Sequence, residues 1–117
     1  MNHFISLQEA IDMTSLYRTE CENILKPTFQ NQSILALSEA FDRAPFDVLL
    51  AKTGCAGLRI YYGMDEDLKV HAIIVATDEN GDDILPTGEL PEGDGDDILE
   101  RGIRCPDLCP TSSALNS

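Results

Sequence analysis

The stretch Leu68–Thr77 limits the fold more than any other. Its even positions, Leu68, Val70, Ala72, Ile74 and Ala76, are all apolar, and its odd positions run Lys69, His71, Ile73, Val75, Thr77. Period-two patterning in a segment rich in β-branched residues predicts a strand, buried on one face throughout and on both faces toward its end. Asn80-Gly81 follows it. That dipeptide suits a type I′ hairpin turn, whose central residues both need positive φ, so a third strand is expected near Asp83–Leu85. Upstream, Leu58-Arg-Ile-Tyr-Tyr62 alternates in the same way. A loop over Gly63–Asp67 would set Tyr62 opposite Leu68, Ile60 opposite Val70 and Leu58 opposite Ala72.

The N-terminal half reads as helical. Ser6-Leu-Gln-Glu9 forms a capping box, with the hydroxyl meeting the Glu9 amide and the carboxylate reaching back. Ala10, Met13, Tyr17, Cys21 and Ile24 recur at helical spacing behind it, flanked by Leu16 and Leu25, and Pro27 ends the helix, placing it at about 6–25. Ile34–Leu37 is short and apolar, a strand or a buried lead-in. Ser38 is suited to cap a helix over 39–44, Pro45 to open another that carries Phe46, Leu49 and Leu50, and Gly54 to stop it. The predicted fold is α+β, with N-terminal helices packed on one face of a small antiparallel sheet. Residues 1–117 are expected to form a single domain. The sheet's apolar face is Leu58, Ile60, Val70, Ala72 and Ile74, and Met13, Tyr17 and Ile24 are its expected cover.

Charge is placed unevenly. The chain carries a net charge of -13, and residues 59–117 hold 14 Asp and Glu against 4 Lys and Arg. So negative a surface repels nucleic acid and anionic lipid and attracts cations and basic proteins. Residues 86–97 read as an acidic flexible loop. There is no run of about 18 apolar residues to span a membrane. The N-terminus lacks the basic and apolar regions of a secretory leader, so a cytoplasmic protein is expected, with four cysteines as thiols rather than a disulfide framework.

Three places carry candidate chemistry. In Cys105-Pro-Asp-Leu-Cys109-Pro, two thiols four residues apart suit a metal site or a local disulfide. The tail, residues 101–117, is expected to dock on the domain with both thiols reduced and metal-free. Arg101 and Arg104 would draw it toward the acidic stretch or toward Asp82-Asp83. The acidic turn at Asp78–Asp83 does not fit a calcium loop, because counting from Asp78 puts Gly81 fourth, where an EF-hand needs its glycine sixth. On the sheet's second face, Arg59, Tyr61, Lys69 and His71 would form a cationic patch for an anion, for an acidic stretch such as Asp94–Asp97, or for a partner; the plain alternative is a solvated sheet face guarded against edge aggregation. No Gly-x-Ser-x-Gly, Walker loop or Gly-x-Gly-x-x-Gly is present, so enzyme activity is not expected.

Gly57-Leu-Arg-Ile-Tyr61, Tyr62-Gly-Met-Asp65, Asp78-Glu-Asn-Gly-Asp-Asp83 and the tail from Cys105 to Asn116 together resemble a group of small bacterial proteins with no assigned activity. The resemblance spans about residues 5–117. It implies one domain, a bacterial cytoplasmic setting and a tail that belongs to the domain. The reading that follows is a non-catalytic acidic interaction protein without a cofactor, acting as a homo-oligomer or on a basic protein partner, and binding neither nucleic acid nor membrane. The alternative is a metal-binding or redox protein that uses Cys105 and Cys109.

Overall fold

The hairpin predicted from the alternating segments organises the computed structural model, which describes residues 2–86, 98–106 and 108–116. In chain order the elements are α1 (Leu7–Glu20), β1 (Ser38–Ala40), α2 (Arg43–Leu50), β2 (Gly57–Met64), β3 (Val70–Thr77), β4 (Asp83–Ile84), β5 (Ile98–Leu99) and β6 (Ile103–Cys105), with a 3-10 turn at Pro27–Phe29. The fold is α+β, with antiparallel sheets. β3 pairs with β2 on one side and with β4 and β5 on the other, while β1 and β6 form a separate two-stranded sheet.

The β2–β3 register differs from the expected one. Tyr62 faces Ala72, Ile60 faces Ile74 and Met64 faces Val70, so the connection is Asp65–Lys69. Two residues account for the shift. Leu68 adopts φ 67°, a left-handed turn conformation, and leaves the strand. Gly63 stays in the strand beneath Ile73, where an added Cβ would come within 2.6 Å of the Ile73 Cδ1. The turn is held by Asp65, whose Oδ1 accepts from the amides of Asp67 and Lys69. Because the slip is an even number of residues, the apolar face survives it.

That face is covered chiefly by α2. Leu49 is fully buried against Ile74 and Ala76, with Phe41, Phe46, Cys55, Ile84 and Leu99 around them, and Phe41 meets Phe46 edge to face at 5.8 Å. α2 starts at Arg43, two residues before Pro45, and β1 occupies part of the span expected to be a helix at 39–44. α1 is capped as predicted, Ser6 Oγ accepting from Glu9 N at 3.0 Å, but its stripe is not the sheet's cover. Tyr17 reaches inward and its hydroxyl donates to Ala36 O at 2.6 Å, while Met13 and Ile24 are 66% and 74% exposed. The expectation that Met13, Tyr17 and Ile24 together seal the sheet is corrected: α2 is shorter, follows closely on β1 and sits directly over Ile74. Of the acidic loop expected over 86–97, residues 87–97 lie outside the described residues.

Candidate functional site

The four residues of the expected cationic patch sit in two groups, and each group meets acids of its own chain. Arg59 and Tyr61 both bond to Asp83, which β4 brings onto the same face, and Arg59 Nη2 also donates to Gly81 O at 2.8 Å. Donation from Tyr61 first, and the Arg59 guanidinium beside it, hold the Asp83 carboxyl below the ordinary carboxylate range. The Asp83 carboxylate in turn raises Arg59.

His71 forms the second group. Its Nε2 lies 2.7 Å from Asp65 Oδ2 and its Nδ1 3.4 Å from Glu100 Oε1. The His71 contact, followed by the amide of Lys69, lowers the Asp65 pKa. A cavity of about 510 Å³ opens here, lined by Gly63, Met64, Asp65, His71, Ile73 and Glu100 among others. Lys69 joins through its main chain. The two carboxylates address opposite ring nitrogens, so they do not converge on a point where one ion would be held. Among the described residues no three His, Cys, Asp or Glu side chains are grouped to hold a metal.

The tail differs from its expected chemistry. Cys105 and Cys109 are joined as a disulfide, with Cα atoms 4.6 Å apart, where free thiols were expected. Their sulfurs are bonded to each other, so the two are not a pair of thiolate metal ligands in this state. A loop this short brings the sulfurs within bonding reach once β6 fixes Cys105 and Pro110 follows Cys109. Cys105 is buried and Cys109 exposed. Beside the bridge lies a cavity of about 480 Å³ bounded by Thr14, Tyr17, Leu37 and Leu115, and Arg18 Nη1 donates to Leu115 O at 2.5 Å. Arg104, expected to clip the tail to an acid, is instead buried and donates to the carbonyls of Val70, Ser33 and Ile34.

One surface went unpredicted because its residues were read as core. Along α1, Met13, Leu16, Tyr17, Cys21 and Ile24 line an apolar groove of about 290 Å³ with Glu20 at its rim. Glu9 and Asp12 are further exposed acids on the same helix. The signal was available in the alternation of acids with the apolar stripe, but that pattern fits a core-facing helix equally well. Comparison with family models, curated proteins and solved structures gave no match. No helix among the described residues is long and apolar enough to cross a membrane.

Proposed function

We propose that the chain is a non-catalytic interaction protein that receives a basic amphipathic segment of a partner protein along α1. The observation that carries this is the apolar groove of the exposed Met13, Leu16 and Ile24, with Glu20 at its rim, in a molecule of net charge -13. A helix face left this apolar favours burial, and Glu20 together with the strongly negative net charge favours a cationic visitor over a neutral one. The recognition mode is a helix lying in a groove.

The test is fluorescence anisotropy with two labelled amphipathic peptides of equal hydrophobicity, one rich in Lys and Arg and one rich in Glu. The basic peptide should bind in the micromolar range and weaken as salt rises, and Leu16→Glu should abolish binding without changing the far-UV circular dichroism. Equal affinity for both peptides, or no binding at low salt, would refute it.

A second reading is favoured by the bridge itself. Cys109 lies at the surface, and a dithiol that attacks its Sγ expels Cys105 as the thiolate; the attacker's second thiol then resolves the mixed disulfide, releasing the Cys109 thiolate and leaving the attacker oxidised. Reduction by a small dithiol at equilibrium, followed by mass spectrometry of the alkylated tail peptide, measures whether that exchange occurs.

A further inference from the structure

We propose that β2 is a self-association edge through which two copies of this chain join their sheets. The two sides of the sheet are treated differently. On the β4 side, β3 is covered along its length: Ala76 and Thr77 by β4, Ile74 and Val75 by β5, the Val70 amide and carbonyl by Ile34 O and Arg104 Nε, and the Ala72 amide by Glu39 Oε1. On the β2 side, no strand among the described residues other than β3 pairs with Gly57–Met64, so β2 ends the sheet. Asp65 N donates to Lys69 O across the turn. Alternation from there turns the main chain of Gly63, Tyr61 and Arg59 toward β3 and leaves that of Met64, Tyr62, Ile60 and Leu58 facing outward. An edge of this length usually carries a lysine, a proline or a bulge to discourage pairing. β2 has none, and its one charge, Arg59, is held by Asp83.

The edge matches itself, which favours a second copy as its occupant: the outward main chain of Leu58, Ile60, Tyr62 and Met64 meets the same residues of another β2 in antiparallel register. Two molecules of net charge -13 repel over most of their surfaces, and contact is cheapest where acids are few or already paired, as Asp83 is with Arg59 and Tyr61. No Asp or Glu stands between Asp47 and Asp65, the longest acid-free stretch in the chain, and β2 lies within it. Antiparallel pairing about a two-fold axis at Tyr61 sets Ile60 opposite Tyr62 of the other copy and Leu58 opposite Met64, extending one apolar face across both sheets. Arg59 then falls opposite Gly63, so the two guanidinium groups do not meet. This surface is separate from the α1 groove, and either reading stands without the other.

The test is sedimentation equilibrium of the full chain from about 5 to 300 μM, a range that reaches weak complexes. A dimer should form, and raising the salt should strengthen it, because screening removes repulsion between like-charged copies. Tyr62→Pro deletes an outward amide that β3 does not use, and an edge strand tolerates such a proline. It should weaken the dimer at least about tenfold, as losing two main-chain hydrogen bonds per dimer would, while Tyr62→Thr keeps the amide and most of the affinity. If Tyr62→Pro unfolds by circular dichroism, Ile60→Lys serves in its place. A wild-type chain monomeric throughout this range at high salt would overturn the proposal. So would a folded Tyr62→Pro or Ile60→Lys protein that dimerises as well as wild type.

Discussion

Glu39 and Arg104 face each other across β1 and β6, and both side chains end on β3: Glu39 Oε1 accepts from Ala72 N at 2.8 Å and Arg104 Nε donates to Val70 O at 3.1 Å. The small sheet thus closes the edge of the large one with side chains in place of a strand. Arg104 also donates to the carbonyls of Ser33 and Ile34, so one buried guanidinium ties together β3, β6 and the segment before β1. Arg104→Ala should cost about 3 kcal/mol, since it strands buried carbonyls and takes away charge-assisted hydrogen bonds. Arg104→Lys should recover little, because a single ammonium does not reproduce the planar fork. Glu39→Gln keeps an acceptor for Ala72 and should cost less than about 1 kcal/mol. Urea unfolding at neutral pH ranks the three variants.

The division of labour between the helices gives a second prediction. Ile74 and Leu49 are buried against each other, whereas Met13 lies mostly in water. Ile74→Ala and Leu49→Ala should each destabilise by about 2–5 kcal/mol. Met13→Ala should stay within about 0.5 kcal/mol, as exposed positions do. A large loss at Met13, measured in the same urea series, would mean that α1 covers the core after all.

Asp83 links acid stability to the hairpin. Its pKa is held below the ordinary carboxylate range, first by the hydroxyl of Tyr61 and then by Arg59. A carboxyl with a folded pKa below its unfolded one adds stability above the unfolded value and loses it as pH falls through the folded one. Asp65, lowered chiefly by His71, acts in the same direction. Asp83→Asn should therefore be less stable than wild type at pH 7, and the gap should narrow below about pH 4. Urea midpoints at the two pH values check it, and a gap of constant size would mean that the charge on Asp83 is not what matters.

The parts of the fold that were legible in the sequence are those set by neighbouring residues. Ser6 and Glu9 mark the start of α1 because a cap needs only its own first turn, and Leu68–Thr77 announces β3 because burial on both faces leaves a continuous apolar run. The register was not legible. It turns on the left-handed φ of Leu68, a residue whose side chain gives no hint of it, and on the space Ile73 needs over Gly63. β1 and β6 are too short for alternation to show, and Ser38-Glu-Ala reads as readily as a helix start. At the site, the cationic face of Arg59 and Tyr61 was visible. Its neutralisation by Asp83 is a side-chain contact between residues 24 apart in sequence, reached across β3, and local pattern does not encode it. The α1 groove was misassigned because an apolar stripe does not say what it will be packed against.

Gly102 offers a test of the join between the two sheets. A Cβ there would lie 2.6 Å from Phe41 Cζ, 2.7 Å from Phe41 Cε2 and 2.8 Å from Glu39 Oε2. The Phe41 ring is held edge to face against Phe46 and has little freedom to withdraw. Gly102→Ala should therefore destabilise by about 1–3 kcal/mol, the usual cost of overpacking. Phe41→Leu in the same chain should relieve part of that loss, giving a measurable coupling between the two positions.

The state of the cysteines can be read directly. With Cys105 and Cys109 bridged, Cys21 buried and Cys55 half-buried, alkylation of the denatured, unreduced protein should modify Cys21 and Cys55 and leave the tail peptide two hydrogens light. Reduction before alkylation should modify all four. The bridge closes a loop so short that its entropic contribution is small, so reduction should lower stability by no more than about 2 kcal/mol, below the range usual for longer loops. What reduction should change is the tail: Pro110 to Leu115 borders the cavity beside Cys109, and Arg18 holds Leu115 across it. Amide hydrogen exchange over 108–116 should quicken on reduction while β3 keeps its protection. Uniform loss of protection in both segments would show instead that the bridge supports the whole domain.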